Sequence, residues 1–171
     1  MCNWFTVVVL FAGFLPAGAN ASEVPVMPFV DGRWHGDINT VPNSQDFECR
    51  ASTTFIDGTT FTLVERNDGN WRLELSNPAW QLPPLAQYDL VAQVDFYPRI
   101  RIAAVASKQT GLEIADLETI SLLGLIENGH TLDLMSEDFN DKYELEGSAK
   151  IIERLRNCVG EGASTVTGPE E

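Results

Sequence analysis

Apolar and polar residues alternate strictly along Trp71-Arg72-Leu73-Glu74-Leu75-Ser76, and a matching run precedes them, with Phe61 and Leu63 set between Thr60, Thr62 and Val64. A period of two with one apolar side predicts two half-buried strands. Their register follows from keeping one face apolar. A two-residue turn at Asp68-Gly69 would set Leu63 opposite Glu74, whereas a three-residue loop Asn67-Asp68-Gly69 sets Leu63 opposite Leu73 and Phe61 opposite Leu75, with Gly69 left-handed. The same reasoning at Ile56-Asp57-Gly58 places Thr53 opposite Phe61 and Ala51 opposite Leu63. It also turns Phe47, Cys49 and Phe55 toward the core.

The pattern predicts further strands at Tyr88 to Phe96, with Tyr88, Leu90, Ala92, Val94 and Phe96 inward, and at Arg99 to Ala106, with Ile100, Ile102 and Ala104 inward. Tyr97-Pro98 reads as the reversal between them. Leu112 and Ile114, Leu132 and Leu134, and Tyr143 and Leu145 mark three shorter strands. Two segments break the period. Thr119 to Glu127 spaces Ile120, Leu123 and Ile126 three apart before the stop Asn128-Gly129, which predicts a short helix. Ser148 can cap a second helix whose stripe is Ile151, Ile152, Leu155 and Cys158 or Val159. The expected fold is therefore α+β: a twisted, mostly antiparallel sheet of about seven to eight strands, a short helix and a C-terminal helix.

The apolar run Trp4 to Leu15 is too short to span a bilayer, and Ala19-Asn20-Ala21 supplies the small residues of a signal-peptidase site. Residues 1–21 are thus expected to be a cleaved export signal, followed by an extended leader (22–32), a single β-rich domain (33–159) and a flexible acidic tail (160–171). Cys2 leaves with the signal, so only Cys49 and Cys158 remain. An oxidising compartment favours their pairing as a disulfide. It would close a loop of about 100 residues, worth about 4.7 kcal/mol on the chain-entropy model.

The formal net charge of −14 changes the functional picture, because such a surface repels phosphate backbones and anionic headgroups. No nucleic acid and no stable membrane insertion after signal cleavage are expected; the partner is an unknown protein or small ligand, and a cationic one suits the charge. The chain has two histidines, His35 and His130. Neither sits in a nucleophile or metal motif, and Glu137 to Asp141 lacks the spacing of a calcium loop. No cofactor and no metal are expected. The candidate binding residues are Trp34 and His35, in Trp34-His35-Gly36-Asp37 at the domain entrance, and Trp80, in the proline-bounded loop Asn77 to Pro84. A core position is the more ordinary place for Trp80, and a strand-edge position for His35.

The stretch Tyr143-Glu144-Leu145-Glu146-Gly147-Ser148-Ala149, continuing through Leu155 to Cys158-Val159, resembles the closing strand and helix of small exported proteobacterial domains. Together with Leu122-Leu123 and Asn128-Gly129-His130-Thr131-Leu132-Asp133-Leu134, it is also similar to the C-terminal half of invasion-associated locus B type periplasmic proteins. The resemblance implies a bacterial periplasmic, non-enzymatic, β-rich domain and carries over no functional residue. The leading expectation is an exported, periplasmic or secreted, non-enzymatic binding or envelope protein. The alternatives are an inhibitor of a cationic envelope-directed enzyme such as a lysozyme, and a small hydrolase using His35 with Asp37.

Overall fold

The computed structural model describes residues 28–40, 46–137 and 140–166. The segment read as an export signal, most of the leader and the last residues of the tail lie outside them. The chain runs β1 (Phe29–Asp31), β2 (Trp34–Thr40), β3 (Phe47–Thr54), β4 (Thr60–Arg66), β5 (Trp71–Ser76), β6 (Gln87–Val94), β7 (Ile100–Lys108), β8 (Gly111–Ile114), α1 (Leu122–Asn128), β9 (Thr131–Met135), β10 (Asn140–Glu144) and α2 (Ser148–Val166). All ten strands form one sheet, in the order β1-β2-β3-β4-β5-β8-β7-β6-β9-β10. Every neighbouring pair is antiparallel.

The expected α+β class with seven to eight strands is corrected by this topology: the chain is predominantly a ten-stranded antiparallel β-sheet with low helix content. The first two strands account for the difference. On β2 the inward positions are Trp34, Gly36 and Ile38, and the glycine hides the alternation. A Cβ at Gly36 would lie 2.1 Å from the ring of Phe29, so a side chain from β1 fills the place that Gly36 leaves empty. β1 itself falls in the segment read as leader. At the other end α2 runs on to Val166, into the segment read as tail.

The central hairpins follow the one-face rule. Leu63 pairs with Leu73 and Phe61 with Leu75, while Thr53 faces Phe61 and Ala51 faces Leu63. Gly69 is left-handed at φ 82°. The inward faces of all ten strands contribute to one core. The sheet rolls far enough for its last strand to meet its beginning: Tyr143 of β10 packs on Phe55 and Phe61, and Arg33 donates to the Glu144 carbonyl at 2.8 Å.

α2 lies across β3 and β4 and buries Ile151, Ile152, Leu155 and Cys158. Its last buried turn is joined to β3 by the Cys49–Cys158 disulfide, with Cα atoms 6.2 Å apart and a sequence separation of 109. Ser148 does not cap α2 as expected. It is the first helical residue, and its hydroxyl donates to the Ile126 carbonyl of α1 at 2.7 Å, joining the two helices. Lys150 and Arg154 reach Asp31 at 2.6 and 3.4 Å, so α2 also holds the edge strand β1.

Candidate binding site

Adjacent positions on a strand face opposite ways, so Trp34 and His35 cannot share a site. Trp34 is 2% exposed; its indole N–H donates to the Glu146 carbonyl at 2.9 Å and its ring stands edge-on to Phe61. It is a core residue whose one polar atom is satisfied. His35 lies exposed on the outer face opposite Ser52, whose hydroxyl is engaged with Thr62 at 2.8 Å. Its ring forms no hydrogen bond among the described residues, and Asp37 pairs in register with Arg50. The hydrolase reading needs His35 within hydrogen-bond reach of a Ser or Asp, and the register sets it opposite Ser52, whose hydroxyl is already bonded to Thr62. Trp80 follows β5 and packs half-buried against the core, its backbone N–H donating to the Asn77 carbonyl at 3.0 Å. The three aromatic candidates are thus not brought together. Cys49 and Cys158 meet in the core, where both are buried.

A different aromatic is presented to solvent. Phe96, expected as the last inward residue of its strand, is fully exposed, and Tyr97 beside it is half exposed. β6 stops at Val94 because Asp95 turns left-handed at φ 46°, after which the Tyr97 N–H closes the turn onto the Val94 carbonyl at 2.9 Å. A left-handed non-glycine residue costs about 1–2 kcal/mol, and here the Asp95 carboxylate supplies the compensation. It accepts from the backbone N–H of His130 at 3.0 Å, from the backbone N–H of Thr131 at 2.9 Å and from the Thr131 hydroxyl at 3.1 Å, and lies 3.3 Å from His130 Nδ1. Desolvation works against its charge, but the N–H donors of His130 and Thr131 outweigh it and hold the carboxyl below the usual carboxylate range. Gly129 permits the approach: a Cβ there would stand 2.2 Å from Val94 Cγ1 and 2.8 Å from the Leu125 carbonyl.

The result is a cleft of about 570 Å³ bounded by Asp95, Phe96, Tyr97 and His130. His130 also borders a second cleft of about 620 Å³, between residues 127–130 and 144–149. Two of its carboxylates are paired, Glu127 with Arg156 at 2.9 and 3.1 Å and Glu144 with Arg33 at 3.2 Å. Glu146 is exposed and makes no ion pair among the described residues. The two clefts adjoin at His130, the first lined by Phe96 and Tyr97 and the second by Glu127, Glu144 and Glu146. Among the described residues no three His, Cys, Asp or Glu side chains converge as a metal site.

Sequence reasoning missed both Phe96 and a buried acid, Glu65. Alternation through Phe61 and Leu63 sends Glu65 inward between Cys49 and Trp71, where it is 7% exposed and Oε2 has no hydrogen-bond partner among the described residues. Burial pushes its carboxyl up to about 7, against the attraction of Arg156 and helped by the repulsion of Glu118. The signal for Glu65 was present, an acid at an inward position. The signal for Phe96 was Asp95 and Pro98 bracketing it as turn residues.

No protein-family model and no curated protein sequence matches the chain. Among solved structures the chain is similar to invasion associated protein B from Bartonella henselae, with a TM-score of 0.56 and 15% sequence identity over 78% of this chain and 97% of that one. At that identity the likeness is one of fold.

Proposed function

We propose that the chain is an exported binding protein of a bacterial envelope, acting in the periplasm or outside the cell without catalysing a reaction. The observation that carries the reading is the buried Cys49–Cys158 disulfide, which fastens the last helix over the core and is a bond of the kind that an oxidising compartment favours. The resemblance of the C-terminal half to invasion-associated locus B type periplasmic proteins supports the same placement. The test is expression of the full chain, with a C-terminal tag, in a Gram-negative host. The periplasmic fraction should yield protein that begins at Ser22 and leaves neither Cys49 nor Cys158 open to alkylation. Cytoplasmic protein retaining residues 1–21, with both thiols alkylated, would refute the reading.

A second reading is an inhibitor of a cationic envelope-directed enzyme such as a lysozyme. The net charge of −14 and the exposed aromatic turn favour it. Inhibition that fades as salt rises would support this reading, and indifference of the enzyme at low salt would remove it.

A further inference from the structure

We propose that the Asp95–Tyr97 turn and the adjoining wall at Glu146 are the docking surface for a cationic segment of a partner protein, with Phe96 as its anchor. This rests on the reading of the chain as a binding protein and names the surface and the chemistry it selects.

The turn is built rather than incidental. Three strong donors hold the Asp95 carboxylate, a glycine clears the space behind it, and the left-handed residue ends the strand one position before Phe96. What this arrangement produces is an aromatic ring in water. Phe29, Phe47 and Phe61 are buried and Phe55 packs against the core, so the chain hides these four phenylalanines and displays Phe96.

The charge around the ring says what fits it. Arg156 and Arg33 compensate Glu127 and Glu144, and Arg99 donates to Gln93 Oε1 at 3.1 Å. Glu146 is left without an ion pair among the described residues, and Asp95 keeps its negative charge on backbone and hydroxyl donors rather than on a Lys or Arg, on a chain whose net charge is −14. Aromatic faces flanked by carboxylates recognise the guanidinium of arginine or the ammonium of lysine: the ring quadrupole attracts the cation, and the carboxylates neutralise it. An acidic segment would meet repulsion at both Asp95 and Glu146, and a purely apolar one would leave Glu146 facing it unpaired.

The probe is a blocked peptide of alternating arginine and leucine, with a glutamate–leucine peptide of equal length as the control. Each is titrated into the ¹⁵N-labelled protein recovered from the periplasm after expression of the full chain. Amide shifts from the arginine peptide should concentrate at residues 94–98, 127–131 and 144–148, and binding should weaken as salt rises. Phe96→Ser should weaken it about tenfold, as loss of an aromatic anchor does, and Glu146→Lys should weaken it and flatten the salt dependence. Both side chains are exposed, so thermal unfolding of the variants should match the parent. Shifts spread evenly over the acidic surface, equal binding of the control peptide, or an unchanged affinity in F96S would each overturn the proposal. Equal capture of an envelope protein by the parent and F96S would also overturn it, while leaving the binding reading standing. If neither captures anything and the peptide causes no shifts, both fall.

Discussion

Glu65 makes stability depend on pH in a direction opposite to that of most carboxylates. The unfolded chain titrates this residue near 4.5, whereas burial beside Cys49 and Trp71 moves the folded value to about 7. Between those values the folded form keeps a proton that the unfolded form releases, so stability falls as pH rises. The full contribution is present below about 4.5 and is lost as pH climbs through about 7. At about 1.4 kcal/mol per pH unit, the displacement corresponds to about 3 kcal/mol between pH 4.5 and 8. Glu65→Gln keeps the shape and removes the titration. The measurement is urea unfolding of the parent and E65Q, disulfide intact, at pH 5, 6, 7 and 8. Every other titrating group is shared by the two proteins, so it cancels in their difference. That difference should move by about 2.5 kcal/mol in favour of E65Q between pH 5 and pH 8. A difference that stays flat across the series, or moves the other way, would show that the Glu65 carboxyl is solvated and refute the reasoning.

Three further outcomes follow from the packing. Replacing both cysteines, as C49A with C158A, should lower the unfolding free energy by about 4–5 kcal/mol on the chain-entropy model, read as a fall in the urea midpoint. Trp34→Phe leaves the Glu146 carbonyl without its indole donor and should cost about 1–3 kcal/mol, measured by thermal unfolding. Gly129→Ala forces a methyl against Val94 and the Leu125 carbonyl, so it should destabilise by about 1–3 kcal/mol and shift the amide resonances of residues 94–97.

The parts of the fold legible in sequence are those where a single rule, one apolar face per strand, has one solution. It sets the β3–β4–β5 registers because a one-residue slip would turn Leu63 onto Arg72 or Glu74 of β5, or onto Arg50 or Ser52 of β3. It failed where the space of one residue is filled by another. Gly36 carries no sign that Phe29 lies over it, so β1 and β2 were not counted as strands. It failed again at Val94-Asp95-Phe96, where alternation continues past the strand end. The stop comes from hydrogen bonds that Asp95 makes to residues 35 and 36 positions away. The helix stripe of Ile151, Ile152, Leu155 and Cys158 was visible because helical periodicity is local. The candidate residues Trp34 and His35 were chosen by adjacency in sequence, the very relation that a strand converts into opposite faces.

The same topology explains why the candidate surface could not be read from any one segment. β9 pairs with both β6 and β10, placing Thr131 beside the end of β6 on one side and opposite Glu144 on the other. The β6–β7 turn, the α1–β9 loop and the entry to α2 therefore meet at one end of the sheet. Each is fixed by its own bonds: Asp95 to His130 and Thr131, Ser148 to Ile126, and Trp34 to Glu146. The disulfide secures α2 to β3 at Cys158, so the helix behind the wall is held at its entry and again past its middle. A surface held in this way loses little freedom when a partner docks, so more of the contact energy at Phe96 is available as affinity. An anchoring ring gains from such rigidity. The backbone N–H of His130 is part of the turn that displays Phe96, so the residue that borders both clefts also fixes the position of the ring.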